Sequence, residues 1–222
     1  MSEIKLKKDV RSRNQQQADT NRRLFRKSGL LALNILGSPG SGKTSLIEQT
    51  ARRLSSKLRI LVVEGDVETE RDADRIRALG IDAIQFQTHG SCHLDAMMVA
   101  QSLQEVKLDK VELLIIENVG NLICPAGFDL GEDLRIVVGS TAEGADKPIK
   151  YPEMYLHADA CVLNKIDLLP YVDFNIEEFE AGARQTNEKL RLFRISCTTG
   201  SGIDPWCEYL QNSYTKQHNN MR

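Results

Sequence analysis

The sequence predicts an α/β protein of three layers, with helices covering both faces of a mainly parallel sheet. Two observations predict it. From residue 30 onward, continuous apolar runs alternate with helical segments, and a glycine-rich loop, GSPGSGKTS, stands between the first such run and the first such helix. The 222 residues suit one sizeable domain, or one domain with an arm.

In chain order, residues 1–29 form a basic arm, with nine Lys and Arg against three Asp and Glu. Its middle, NQQQADTNRRLF, reads as helix, either packed at the edge of the domain or serving to dock an acidic partner. Residues 30–222 form the main domain. LLALNILG reads as a buried strand and KTSLIEQTARRLSSK as the helix after the glycine loop. RILVVEGD is the second strand, and ERDADRIRALG is a short helix ending at Gly80. IDAIQFQT is a strand and LDAMMVAQSLQEV an amphipathic helix. ELLIIENVG, LRIVVGST and DACVLNKID are three further strands, the first too apolar for one exposed face. IEEFEAGARQTNEKL is a helix, RLFRISC the seventh strand, and IDPWCEYLQNSY a closing helix.

Composition sets limits on function. Lys plus Arg is 29 against 31 Asp plus Glu, so overall charge points to neither nucleic acid nor a membrane surface. No apolar run approaches the ~20 residues of a membrane helix. The N-terminus lacks the apolar core of a secretory signal, and five Cys do not make a disulfide scaffold, so a cytoplasmic location is expected.

Residues Gly37–Ser45 match the P-loop pattern, with Gly37, Gly42, Lys43 and Thr44 at its fixed positions and Pro39, Gly40, Ser41 and Ser45 completing the cradle. Backbone N–H groups and a helix N-terminus bind phosphate there. Lys43 reaches the β- and γ-phosphates, and the Thr44 hydroxyl is a Mg²⁺ ligand. The base is named further on. NKID, Asn164–Asp167, ends a strand, and a carboxylate at Asp167 accepts from guanine N1–H and its exocyclic amine, a donor pair that adenine lacks. Lys165 lies along the base, and the loop holding Ser196 and Cys197 offers a backbone N–H to O6. GTP is therefore the expected nucleotide. Asp66 and Glu117, each ending a strand, complete the Mg²⁺ site and, with Lys43, the catalytic set. Asp72 and Asp74 read as solvated helix residues. No glutamine or arginine finger is evident, so hydrolysis is expected to be slow.

HGSCHLDAM places Cys92 beside His93, either a buried thiol next to a polar loop residue or half of a metal site. Together with GSPGSGKTSL, the segments GSCHLDA, ENVGNLICPAGFDLGE, EGADKPIKYP and LNKIDLLPY resemble the HypB family from about residue 30 to the C-terminus. The resemblance implies a GTPase of the SIMIBI class that dimerises with GTP and assists nickel delivery to [NiFe]-hydrogenase. Its partners would be maturation proteins and the hydrogenase large subunit. It also implies a metal site for Ni²⁺ or Zn²⁺ at Cys92, His93 and Cys124. The residues agree, since both segments leave the same sheet edge and two thiolates with one imidazole suit either ion. His89 is a supporting or alternative ligand, whereas Cys161 reads as core, Cys207 as half-buried beside Trp206 on the last helix, and His157 and His218 as surface. Gly120, between Glu117 and Cys124, is the expected hinge and γ-phosphate donor. LLPYV, residues 168–172, is either a dimer surface or a loop buried on the last helix. The chain has no Cys before Cys92 and no His before His89, so the N-terminal nickel motifs of some relatives are not expected. The P-loop also lacks a second lysine, having Ser38 in that region. A urease-type delivery GTPase, a small-molecule kinase and a non-catalytic switch are the alternatives.

Overall fold

The computed structural model describes residues 3–66, 71–88 and 90–220. All seven expected strands form, and all are parallel: β1 (Leu31–Gly37), β2 (Ile60–Asp66), β3 (Asp82–Gln87), β4 (Leu113–Glu117), β5 (Leu134–Ser140), β6 (Ala160–Asn164) and β7 (Arg191–Arg194). They lie in the order β3-β2-β4-β1-β5-β6-β7. β1 is central, paired with β4 through Ile35–Glu117 and with β5 through Gly37–Val138. β4 inserts between β1 and β2, and the chain then crosses back to β5. That reversal opens a crevice at the carboxyl edge beside β1, where such sheets bind ligands.

The alternation of side chains within the strands sorts the helices onto two faces. Leu31, Leu33 and Ile35 of β1 pack with Val62 of β2 and Ile115 of β4 under helices α2 (Lys43–Leu54), α3 (Arg71–Arg77) and α8 (Ile203–Asn220). Ala32 with Leu61, Val63, Leu114 and Ile116 points the other way, against Phe25 of α1 (Glu3–Ser28) and Val99 of α4 (Ala96–Ser102). Beyond β5, Val137, Cys161 and Leu163 pack on α6 (Pro152–Leu156) and α7 (Ile176–Thr186). Fully buried side chains of this size each contribute about 1.5–3 kcal/mol. Trp206 anchors α8 to α2, its indole N–H donating to Thr50 Oγ1 at 2.9 Å.

Several boundaries differ from expectation. α4 ends at Ser102 rather than running to residue 106, and a turn lets Leu103, Leu108 and Val111 all reach the core that α4 covers. α8 continues to Asn220. Two short helices, α5 (Lys147–Lys150) and α6, were not expected; each carries a proline in its first turn, where a missing N–H costs nothing. The basic arm is a 26-residue helix. Ala18, Asn21 and Phe25 on one side of it are buried, while Arg11, Arg13, Arg23, Arg26 and Lys27 face solvent.

Candidate functional site

The P-loop, the ends of β2 and β4 and the residues after β6 surround a cleft of about 560 Å³. Gly42 caps α2 with φ of 98°, and a Cβ there would meet Asn164 Nδ2 at 2.2 Å, so only glycine fits. Pro39, Gly40, Gly42, Lys43, Thr44 and Ser45 line the cleft. Lys43 is buried, its Nζ 3.3 Å from Ser38 O and 3.9 Å from Glu117 Oε1. Thr44 Oγ1 donates to the same Glu117 oxygen at 3.1 Å. Ser38 hydrogen-bonds Glu143 instead of facing the cleft as a cation would. Gly120 lines the cleft with Val119, and a Cβ on it would lie 3.0 Å from Pro39, so the segment after β4 presses against the P-loop.

Sequence reasoning missed Glu64. It pairs with Glu117 in register, two residues before Asp66 and therefore on the same face of β2, and that periodicity is the signal that could have found it. Burial, and then the charge of Glu117, pushes its carboxyl far above the ordinary range. Burial raises Glu117 too, with Lys43, Glu64 and Thr44 pulling the other way. Glu64 Oε1, Glu117 Oε2 and Ser41 Oγ are buried without a hydrogen-bond partner among the described residues. Such orphaned oxygens fit a hard divalent cation and a phosphate. The side chain of Asp66, and all of His89, lie outside the described residues. Asp72 borders the cleft but is paired with Arg75, and Asp74 is paired with Arg77.

The NKID segment at the end of β6 is held against the P-loop. Asn164 Nδ2 donates to Ser41 O at 3.1 Å, and its Oδ1 accepts from the amides of Lys165 and Cys197. Lys165 takes a left-handed backbone, φ 64°, which aims its Nζ at Gly40 O, 2.7 Å away. Asp167 Oδ1 is buried with no partner among the described residues, as suits a carboxylate awaiting two donors. Ser196 N donates to Ser201 O and Cys197 N to Asn164, so these two amides hold the loop's shape.

The second cluster lies at the same sheet edge. The donor atoms of Cys92, His93 and Cys124 all fall within 4.8 Å of one another, with Cys92 Sγ 3.5 Å from His93 Nδ1. Cys92 is exposed, and His93 and Cys124 are half-buried. A hydrogen bond with the Cys124 thiol, then burial and the charge of Cys124, raises the Cys92 thiol. Burial lowers His93, which favours the neutral ligand form, while Asp95 works against it. Phe128, a contact that sequence reading missed, packs against the His93 ring, with centroids 4.0 Å apart and planes tilted by 37°. The remaining thiols suit metal poorly. Cys161 is in the core, with its thiol pushed well up by burial, and Cys207 is buried and raised to about 11. His157 is exposed, whereas His218 stacks on Tyr214 at 4.1 Å.

One segment joins the two clusters. Asn121 N donates to Gly37 O of the P-loop, and Asn121 Oδ1 accepts from the amides of Ile123 and Cys124. Asn118, 1% exposed, accepts from Leu94 N at 2.9 Å and donates to Asn34 Oδ1 at 3.3 Å. Neither asparagine was singled out from sequence, because Asn in a loop carries no pattern of its own.

Fold and cleft together define a P-loop nucleotide-binding protein with a thiol–imidazole cluster beside its nucleotide cradle. Residues 31–194 match the family model described as "CobW/HypB/UreG, nucleotide-binding domain". The chain is 47% identical over 203 residues to the hydrogenase maturation factor HypB of Escherichia coli K12, covering 91% of this chain and 70% of that one. Its structure is similar to the crystal structure of HypB from Archaeoglobus fulgidus, with TM-score 0.86, 40% identity and coverage of 91% and 99%. It is equally similar to HypB from Helicobacter pylori in complex with nickel, with TM-score 0.87, 35% identity and coverage of 95% and 97%. The chain belongs to the CobW/HypB/UreG family and, within it, to the HypB hydrogenase maturation factors.

Proposed function

We propose that the protein is a GTP-hydrolysing metallochaperone. It holds Ni²⁺ or Zn²⁺ on Cys92, His93 and Cys124 and passes nickel, with maturation partners, to the large subunit of a [NiFe]-hydrogenase. One observation carries this reading: the stretch from Glu117 to Cys124 begins in the phosphate cradle and ends at a sulfur donor, and is bonded to the P-loop between them. The Helicobacter relative's complex with nickel supports the choice of cargo.

The chain's own groups divide the work. Lys43 and the P-loop amides hold the phosphates, and Asp167 and Lys165 select guanine. Thr44 and Glu117, with Asp66 through water, would hold Mg²⁺, which would supply positive charge against that of the phosphates. Glu64, in register with Glu117 on the neighbouring strand, lies beside that site. Gly120 offers its amide to the γ-phosphate and, having no Cβ, can slide on Pro39. Movement there shifts Cys124 through Asn121 and Leu94 through Asn118. The distances from Cys124 to Cys92 and His93 then change with nucleotide state, and metal affinity with them.

GTP also promotes dimerisation through residues 168–172. These form a 3₁₀ turn with no buried residue, ending at Tyr171, which is 83% exposed. No helix among the described residues is long and apolar enough to cross a membrane. A reducing cytoplasm suits a site built on two free thiols.

Turnover of purified protein tests the enzymatic reading. It should hydrolyse GTP slowly and leave ATP untouched, and Cys92→Ala should abolish tight Ni²⁺ binding while hydrolysis persists. Equal hydrolysis of ATP, or phosphate transfer to a metabolite, would defeat it.

A further inference from the structure

The basic helix α1 has no role in the scheme above, yet its polar side chains end on both halves of the metal cluster. Asn14 Nδ2 donates to Asp129 O at 2.8 Å, and Asn14 Oδ1 accepts from Ala96 N at 2.9 Å. Asn21, 2% exposed, donates through Nδ2 to both Ala96 O at 2.8 Å and Leu130 O at 2.9 Å. Ala96 follows His93 by three residues; Asp129 and Leu130 follow Cys124 by five and six. Residues 14 and 21 are two helical turns apart and so share a face.

The seat is built for this contact. Gln17 Nε2 donates to Asn21 Oδ1 at 2.9 Å and turns the amide so that its N–H groups meet the two carbonyls. Arg22 grips the Asp129 carboxylate at 2.7 and 2.6 Å. Gly131 has φ of 91°, and a Cβ on it would lie 2.5 Å from Ala18 O, so helix and turn are in close contact. Among the described residues, no backbone–backbone hydrogen bond joins the segment 90–96 to the segment 121–130. Their hydrogen-bonded links run through Asn118 on the nucleotide side and through α1 on the other.

We infer that α1 is a staple of the metal site, with Asn14 and Asn21 as positioning residues that fix the spacing of the Cys92–His93 loop from the Cys124 loop and thereby set metal affinity. The inference rests on the reading of Cys92, His93 and Cys124 as metal ligands. The energetic logic is that of outer groups around any metal: they lock donors into the geometry the ion needs, and their loss frees the donors to drift. It gives the helix a function on its buried face, whatever its basic face does.

The test is titration of the full chain with Ni²⁺ alone, following the nickel–thiolate charge-transfer absorbance, for wild type and for Asn14→Ala, Asn14→Asp, Asn21→Ala, Thr50→Val and Cys124→Ala. Asn14→Asp keeps the acceptor for Ala96 N but loses the donor to Asp129 O, so a residue that merely capped α4 would tolerate it. The staple predicts that all three asparagine variants bind Ni²⁺ about ten- to a hundredfold more weakly, with a shifted or broadened band. Thr50→Val, which breaks a buried bond at the opposite face of the sheet, should melt earlier yet bind as wild type. Wild-type affinity and band in the asparagine variants, with binding lost in Cys124→Ala, would overturn the staple alone. Undiminished binding in Cys124→Ala would overturn the ligand assignment and the staple with it. Should Asn21→Ala fail to fold, the half-exposed Asn14 carries the test.

Discussion

Replacing Asn118 with alanine is the perturbation that most directly attacks the link between nucleotide and metal. The side chain is buried and makes three bonds: it accepts from Leu94 N at 2.9 Å and Val119 N at 3.0 Å, and donates to Asn34 Oδ1 at 3.3 Å. Truncation leaves the buried Leu94 amide without its acceptor and Asn34 without its donor. A buried group stranded in this way costs about 1–3 kcal/mol. Allowing for partial relaxation, the loss is about 2–4 kcal/mol, and for a chain of this size each kcal/mol lowers the melting temperature by roughly 2–4 °C. The expected shift is therefore about 4–16 °C in a circular-dichroism melt. Stability alone would not single out the link, so the same variant is titrated with Ni²⁺ in its GTP-analogue and GDP states. The ratio of the two affinities should move toward one, because Leu94 no longer follows the end of β4. An unchanged melt together with an unchanged ratio would refute the reasoning.

Asp167→Asn puts an amide where guanine presents its own donors, and should weaken GTP by roughly a hundredfold in a fluorescent-nucleotide assay while hardly affecting phosphate contacts. Thr50→Val strands the Trp206 indole N–H in the core and should cost about 1–3 kcal/mol in urea unfolding, with nucleotide affinity intact. Gly120→Ala drives a methyl against Pro39 and should slow GTP turnover severalfold at unchanged fold by circular dichroism. Burial, the largest single influence, would raise Asp129, but hydrogen bonds from Arg22, the Gly131 amide, Glu132 and Gln15 together hold the carboxyl below its usual 3.8. A depressed carboxylate stabilises the fold above its unfolded value, and that contribution is lost as pH falls through the folded value. Asp129→Asn should thus melt a few degrees below wild type at pH 7, with the gap closing below about pH 3–4.

The strands were legible because a sheet covered on both faces needs uninterrupted apolar runs, and Leu31–Leu36, Leu113–Ile116 and Ala160–Leu163 satisfy that need with hardly a polar residue. The P-loop was legible for a similar reason: its chemistry is carried by residue types at fixed local spacing. What stayed hidden was set by tertiary contact. Glu64 acquires its meaning only from Glu117 on the neighbouring strand. Asn118 and Asn121 acquire theirs from amides 24 residues away and 3 residues on. Phe128 matters because a distant loop lays His93 on it. The arm read correctly as helical, but not as a bridge, because asparagines at 14 and 21 advertise solvent until their partners are known. α5 and α6 escaped notice because segments of 4 and 5 residues show no periodicity.

The most direct measurement is the Ni²⁺ dissociation constant of the wild-type chain, taken once with a non-hydrolysable GTP analogue and once with GDP. A continuous stretch from Glu117 to Cys124 predicts constants that differ by at least about fivefold, with the nucleotide affinities shifting reciprocally when metal is added. Two equal constants would contradict it, however tightly either ligand binds on its own.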